Sequence, residues 1–150
     1  MFSMSDQNNR AQDEDHLRLE LPAAPEQVAN ARRAVAAFAA RQSWQDNDTD
    51  ALILALGEAC SNAVQHSRPG AVNPTIVVSC RRLKSGCLQV DIRNQGNGFQ
   101  PDLQALSLMP ADEFATHGRG FGLMQALVDK VQVLSNGEDT TVRLTKFKTA

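Results

Sequence analysis

The order in which two kinds of apolar repeat follow one another most restricts the fold of this chain. Apolar and polar residues alternate over 16–21, which predicts a strand, and apolar residues then recur at helical spacing over 25–40 and from about 48 to 67. The rest of the chain predicts one helix, at 123–128, and four strands, at 75–82, 87–93, 131–135 and 141–147. This order predicts an α/β fold, a two-layer sandwich whose mixed, mostly antiparallel sheet has its helices packed on one face.

Residues with strong local preferences support these boundaries. Asp48 and Thr49 are both good N-cap residues, so the second helix is predicted to begin at one of them. Residues 84–86 predict a hairpin turn with a residue at positive φ, and Asn136-Gly137 predicts a second hairpin.

Length and charge limit the organisation and the partners of the chain. Its 150 residues suffice for one domain, so we predict a single domain over 16–150. Residues 1–15 are predicted to form a disordered tail. The tail has no signal-peptide pattern, which predicts a cytoplasmic protein. A net charge of −2 without a basic block argues against direct nucleic-acid binding. No apolar run approaches the roughly 20 residues of a membrane span.

The three cysteines, Cys60, Cys80 and Cys87, show no CxxC spacing. A disulfide between Cys80 and Cys87 is geometrically feasible, but a reducing cytoplasm favours free thiols. The histidines lack ligand-like spacing to the cysteines, so no zinc site is expected.

Two short glycine clusters predict close contact between backbone and ligand. The first holds Gly96 and Gly98, and the second holds Gly118, Gly120 and Gly122 just before a predicted helix. Backbone N–H groups at a helix N-terminus bind phosphates well, although two ordinary turns would give the same pattern. Neither cluster has the spacing of a P-loop or of the dinucleotide-binding fingerprint.

Glu58 and Asn62 lie four residues apart on the second predicted helix and therefore share one face. Such a pair is often only a solvated surface pair. It could also support phosphoryl transfer, because an amide oxygen can bind Mg²⁺ and a carboxylate can deprotonate an attacking hydroxyl. His66, one turn further, is expected to hold local structure rather than to act as a base.

Four segments in order resemble the motifs of one superfamily. Residues 58–66, Glu58-Ala-Cys-Ser-Asn-Ala-Val-Gln-His66, look like the N box of the GHKL (Bergerat-fold) ATPases and kinases. Residues 94–99 resemble the G1 box, residues 118–123 the G2 box, and residues 140–144 the last strand. The resemblance spans about residues 15 to 148. The short form with a Gly-Arg-Gly turn is most similar to the bacterial anti-sigma-factor serine/threonine kinases.

The resemblance implies a role for each motif. Glu58 would be the catalytic base, and Asn62 would coordinate the Mg²⁺ that bridges the ATP phosphates. Residues 100–117 would form a lid over the nucleotide. The remaining nucleotide-binding positions would be His66, Asn94, Gly96, Gly98, Gly118, Arg119, Gly120, Phe121, Gly122 and Thr140, with Arg119 neutralising phosphate charge and Thr140 helping to hold adenine.

Asn94 departs from the family pattern, which has Asp at this position to accept a hydrogen bond from the adenine amine. An Asn carbonyl can accept the same bond, but charge-assisted bonds are roughly twice as strong as neutral ones. Asp91 is a poor substitute, because strand alternation places it on the opposite face. We therefore expect weaker or altered nucleotide binding.

Three functions follow from the resemblance, and the third of them is a domain that only hydrolyses ATP to drive its own conformational change. The first is a kinase that sequesters a sigma factor and uses Mg-ATP to phosphorylate a STAS-type anti-sigma-factor antagonist on serine. The second is a module of the same fold that regulates by protein binding only, with catalysis weakened or lost. Asn94 favours the second and the intact pair of Glu58 and Asn62 favours the first. A homodimer is expected by analogy with the family.

Overall fold

The structure, a computed structural model, describes residues 16–65, 73–94, 119–135 and 139–149. The helices and strands in these ranges follow in the predicted order: β1 (His16–Pro22), α1 (Gln27–Arg41), α2 (Asp46–Gln65), β2 (Thr75–Arg82), β3 (Leu88–Asn94), α3 (Arg119–Leu127), β4 (Lys130–Ser135) and β5 (Thr140–Lys146). The predicted tail over 1–15, the predicted lid over 100–117 and the turn at Asn136-Gly137 lie outside the described residues.

The five strands form one sheet in the order β1-β2-β3-β5-β4, and each described pairing is antiparallel. Asn94 pairs with Ile76 of β2 and with Thr140 of β5, and these three residues define what we call the Asn94 end of the sheet. At the opposite end Leu88 pairs with Lys146, and we call this the Lys146 end. The predicted α/β fold with a mostly antiparallel sheet is confirmed.

The hairpin between β2 and β3 has the predicted turn. Gly86 has a φ of 91°, a left-handed conformation that glycine adopts without steric cost, and its N–H donates to the carbonyl of Leu83 at 2.9 Å. Leu83 N–H in turn donates to the carbonyl of Cys87 at 2.9 Å, which closes the turn.

The two faces of the sheet differ in character because successive side chains of a strand point to opposite sides. One face is apolar and is buried against α1 and α2, with Val78, Val90, Ile92 and Leu144 at or near zero exposure. The other face carries polar residues, among them Ser79 and a pair in which Arg143 donates hydrogen bonds of 2.9 and 3.0 Å to Asp91. In the ranges that the structure describes, the helices lie on one face of the sheet only, which makes the two layers that the sequence predicts.

The cysteines are free thiols, as expected. Burial raises the pKa of the Cys60 and Cys80 thiols to about 12, so neither ionises near neutral pH. Cys87 is half-buried, and Ser85 Oγ lies 3.0 Å from its Sγ. Among the described residues, no helix is both long and apolar enough to cross a membrane.

Helix α2 lies at the centre of the helical layer. Its apolar side is buried, and it contacts α1, α3 and the strands β2, β3 and β5. The buried apolar residues are Leu52, Ala55, Leu56, Ala59, Cys60 and Ala63. The position of any side chain on α2 relative to the sheet is therefore set by the packing of the core.

The predicted start of α2 at Asp48 or Thr49 is wrong. The helix begins at Asp46, and the N–H of Thr49 already donates to the carbonyl of Gln45 at 3.0 Å, an ordinary helical bond. The Asp48 carboxylate is used elsewhere, since it accepts hydrogen bonds from the N–H (2.8 Å) and the Oγ1 (2.7 Å) of Thr149. A contact this distant in sequence cannot be read from local cap preferences.

The bond between Asp48 and Thr149 also fixes the direction of α2 across the sheet. Thr149 follows the end of β5, so the first turn of α2 lies at the Lys146 end. From Asp48 to Asn62 the helix rises about 21 Å, which is close to the roughly 20 Å that β5 spans. The last turns of α2 therefore reach the Asn94 end.

We predict that Asp48→Ala lowers the free energy of unfolding by about 1–3 kcal/mol, because both bonds from Thr149 are lost. The hydrogen bonds from Thr149 hold the pKa of the Asp48 carboxyl below its usual value. This stabilisation is full above the unfolded pKa, about 4, and is lost as the pH falls through the lower folded pKa. Urea titrations across this pH range measure both effects.

Asp50→Asn is the matched control, because Asp50 is exposed on the same helix. If Asp48→Ala and Asp50→Asn have equal unfolding free energies and equal acid sensitivity, the Thr149 contact does not contribute to stability.

Candidate active site

Glu58 and Asn62 lie in the second half of α2, on the side turned away from its most buried residues. Both are half-buried, whereas Leu56 and Cys60 are fully buried. Because they are four residues apart, their side chains are neighbours on the helix surface. The predicted pair of carboxylate and amide is therefore formed by one rigid helix.

Gly57, just before Glu58, allows a side chain of α1 to lie against the backbone of α2. A Cβ at this buried glycine would lie 2.6 Å from Arg32 Nε and 2.9 Å from Arg32 Cζ, which no real Cβ contact allows. The Arg32 guanidinium thus occupies the space above Gly57, next to the turn that carries Glu58. The positive charge of Arg32 partly opposes the effect of burial on the pKa of the Cys60 thiol, one turn further along the helix.

No sequence pattern marks Arg32 as a neighbour of α2. The available signal was Gly57 itself, since a glycine inside a helix costs about 1 kcal/mol relative to alanine. A glycine in the middle of a helix can therefore mark a place where another group comes close to the backbone.

Asn94 is the last residue of β3, one residue beyond the strand end that the sequence predicted at 93. Its side chain is only 8% exposed, and its Oδ1 has no hydrogen-bond partner in the described part of the chain. A buried unpaired acceptor costs about 1–3 kcal/mol. A ligand that donates an N–H to Oδ1 would remove this cost, and this is the role that the family resemblance implies for position 94.

Thr140 lies beside Asn94. The two residues are directly paired across β3 and β5, and both are buried. Directly opposite residues of an antiparallel pair have their side chains on the same face, with Cβ atoms about 5 Å apart. The structure therefore brings together the two positions to which the resemblance assigns the adenine.

The second glycine cluster is helical where the structure describes it. The sequence predicted that these glycines precede a helix at 123–128. This is wrong for Gly120 and Gly122, since α3 begins at Arg119 and includes both of them in its first turn. No atom of the described residues outside its own helix lies within 4 Å of a Cβ built on Gly122. N–H groups in the first turn of a helix attract anions when no other group covers them.

The direction of α3 follows from the strand after it. Helix α3 leads into β4, whose first residue, Lys130, pairs with Thr145 near the Lys146 end. The nine residues of α3 extend about 13 Å back from this connection, so its N-terminus is displaced toward the Asn94 end. Helices α2 and α3 are in contact.

These placements bring residues of all four sequence motifs toward one end of the sheet. Glu58 and Asn62 reach the Asn94 end on α2, Asn94 and Thr140 form part of it, and the first turn of α3 is displaced toward it. Asp91 is on the other face, as predicted, bonded to Arg143. The other predicted site residues, His66, Gly96, Gly98 and Gly118, lie outside the described residues.

No group of three or more His, Cys, Asp or Glu residues that could hold a metal ion occurs among the described residues. Mg²⁺ typically takes one or two protein ligands and completes its octahedron with waters and substrate phosphates. The single amide oxygen of Asn62 fits this mode of binding.

Comparison with known families identifies the domain. The family model described as a histidine kinase-like ATPase domain matches residues 21–146. The chain is 33% identical over 143 residues to the serine-protein kinase RsbW of Bacillus velezensis, with 89% of this chain and 86% of that protein covered. It is 30% identical over 139 residues to the serine-protein kinase RsbW of Bacillus subtilis, with the same coverage.

Solved structures show the same fold. The RsbU and RsbW domains of a Mycobacterium tuberculosis protein match with a TM-score of 0.67 and 19% identity, over 90% of this chain and 33% of that chain. This chain thus spans a third of that longer one. The SiaB–SiaC complex of Pseudomonas aeruginosa matches with a TM-score of 0.66 and 12% identity, over 95% of each chain.

We predict that Asn94→Asp binds Mg-ATP about tenfold more tightly, because a carboxylate forms a charge-assisted bond with the adenine amine. The same variant without nucleotide should be less stable, since it buries an unpaired charge. Calorimetric titration and thermal melts with and without Mg-ATP measure the two effects.

Gln89→Glu is the control, because it makes the same amide-to-acid change in β3 at a buried position on the polar face. Unchanged or weaker Mg-ATP binding by Asn94→Asp would remove the adenine role of Asn94.

Proposed function

We propose that this chain, which belongs to the histidine kinase-like ATPase domain family, acts as an ATP-dependent serine-protein kinase on a STAS-type anti-sigma-factor antagonist and sequesters a sigma factor. The pair of Glu58 and Asn62, on a helix whose last turns reach the Asn94 end of the sheet, supports this proposal. A module that only bound proteins would have no need for a carboxylate and an amide in this relation.

Each motif would bind one part of the nucleotide. Asn94 Oδ1 would accept a hydrogen bond from the adenine amine, with Thr140 beside it. The N–H groups in the first turn of α3 would bind the phosphates, and Arg119 would neutralise part of their charge. Asn62 would hold Mg²⁺, which would shield the phosphate charge.

Glu58 acts as the base in the transfer step. Its carboxylate takes the proton of the serine hydroxyl while the serine oxygen forms a bond to the γ-phosphorus of ATP. The bond from the γ-phosphorus to the bridging oxygen breaks, and ADP leaves with that electron pair. The products are phosphoserine on the antagonist, ADP and a protonated Glu58, which then releases its proton to water.

Phosphorylation explains how such a protein could switch partners. A phosphate adds about −1.5 to −2 charges at the interface with the antagonist, which favours release by repulsion and desolvation. The released kinase then holds the sigma factor, and unphosphorylated antagonist displaces it. A homodimer and a cytoplasmic location belong to the same proposal and rest on the family resemblance.

A second candidate is a regulator that works by protein binding alone. Asn94 favours it, because the neutral amide forms a weaker bond with adenine than the usual carboxylate. Transfer of radiolabelled phosphate from ATP to a STAS-domain antagonist separates the two candidates.

We predict that Glu58→Gln lowers the rate of phosphate transfer at least about 100-fold, because the variant lacks a base for the serine hydroxyl. Binding of Mg-ATP and of the antagonist should remain, since the amide has the same shape. Glu20→Gln is the control, because Glu20 is an exposed carboxylate on the polar face of the sheet. Wild-type transfer rates in Glu58→Gln would exclude Glu58 as the base.

We predict that Asn62→Ala weakens Mg-ATP binding on the order of tenfold and removes the difference between ATP affinities measured with and without Mg²⁺. Asn47→Ala, at an exposed position in the first turn of the same helix, is the matched control. If Asn62→Ala retains the full effect of Mg²⁺, the metal is held elsewhere.

A further inference from the structure

Leu54 is an exposed apolar residue on the helix that carries the candidate base. Its exposure is 55%, whereas Leu52 and Leu56 on the same helix are completely buried. Large apolar side chains exposed in this way among the described residues are few: Leu54, Leu123 and Phe147. Of these, Leu54 is the one on α2.

The position of Leu54 relates it directly to Glu58. The two residues are four apart on α2, so they share one face and their Cβ atoms are about 6 Å apart. Asn62 continues the same line by one more turn. Of these three residues, Asn62 is nearest to the Asn94 end of the sheet and Leu54 is farthest from it.

The transfer step restricts the path of the phosphoacceptor. Its hydroxyl must come within about 3 Å of the Glu58 carboxylate to give up its proton. In the proposed function the nucleotide lies on the Asn62 side, at the Asn94 end, and in-line attack on the γ-phosphorus requires the hydroxyl to arrive opposite the leaving ADP. A protein whose hydroxyl enters from the other side of Glu58 would pass over Leu54.

We propose that Leu54 is a docking residue for the phosphoacceptor protein, contacting an apolar side chain next to the acceptor serine. This rests on the proposed kinase function and adds a determinant of substrate choice to it. Burial of the exposed part of Leu54 in the complex corresponds to about a five- to tenfold gain in affinity for the acceptor.

Leu54→Ser tests the proposal with a purified STAS-domain antagonist as acceptor and radiolabelled ATP as donor. The KM for the acceptor should rise about five- to tenfold, while kcat at saturating acceptor and the Kd of Mg-ATP stay unchanged. Leu54→Met should restore the KM, because it replaces the lost apolar surface. Phe147→Ser is the matched control, since Phe147 is 53% exposed and follows β5 at the Lys146 end of the sheet.

The outcomes separate this proposal from the kinase function. Equal acceptor KM values for Leu54→Ser and Phe147→Ser, with normal transfer by the wild type, overturn the docking role alone. If Leu54→Ser changes the Kd of Mg-ATP but not the acceptor KM, the chain's own nucleotide-binding segments cover Leu54. If the variant changes the sedimentation of the protein, a second copy of the chain covers Leu54. Either result also overturns the docking role. No transfer to the antagonist by the wild type overturns the proposed function itself.

Discussion

Burial of the apolar side of α2 is the interaction on which the rest of the molecule depends. The helix crosses the sheet from the Lys146 end to the Asn94 end and contacts both other helices and three strands. Because Leu52, Leu56 and Cys60 have no exposure, the helix cannot rotate without exposing the core. The same packing fixes Glu58 and Asn62 on the side of the helix away from the core, so both side chains extend from a rigid backbone.

The Asn94 end of the sheet combines paired backbone with an unsatisfied side-chain atom. Asn94 has a buried carbonyl oxygen without a hydrogen-bond partner among the described residues, although its backbone is paired with both neighbouring strands. Buried polar side-chain atoms are usually hydrogen-bonded, so an unpaired one calls for an explanation such as a bound ligand or water. The hydrogen bond from adenine that we propose for Asn94 would satisfy this oxygen.

The sequence predicted the element order and the turn at Gly86, because these depend on local periodicity and on backbone preferences. It also predicted the side of the sheet that carries Asp91, since alternation along a strand follows from backbone geometry. The start of α2 was wrong because Asp48 is engaged by Thr149, a contact between distant parts of the chain. Arg32 was missed for the same reason: its position depends on how α1 packs on α2. The roles of Glu58, Asn62 and the glycines stay predictions, since they concern a bound nucleotide.

The direct pairing of Asn94 with Thr140 has a consequence for how the native state can be detected. A shift of one residue between β3 and β5 would turn Asn94 to the polar face and bring an apolar core position out with it. A slip of one residue therefore cannot keep the core while losing the site. A slip of two residues would keep both faces but would separate Asn94 from Thr140. Because a ligand that binds only the native form stabilises it by mass action, a nucleotide-dependent rise in melting temperature would act as a sensor of correct strand alignment and would distinguish properly assembled molecules from misfolded ones in a crude preparation.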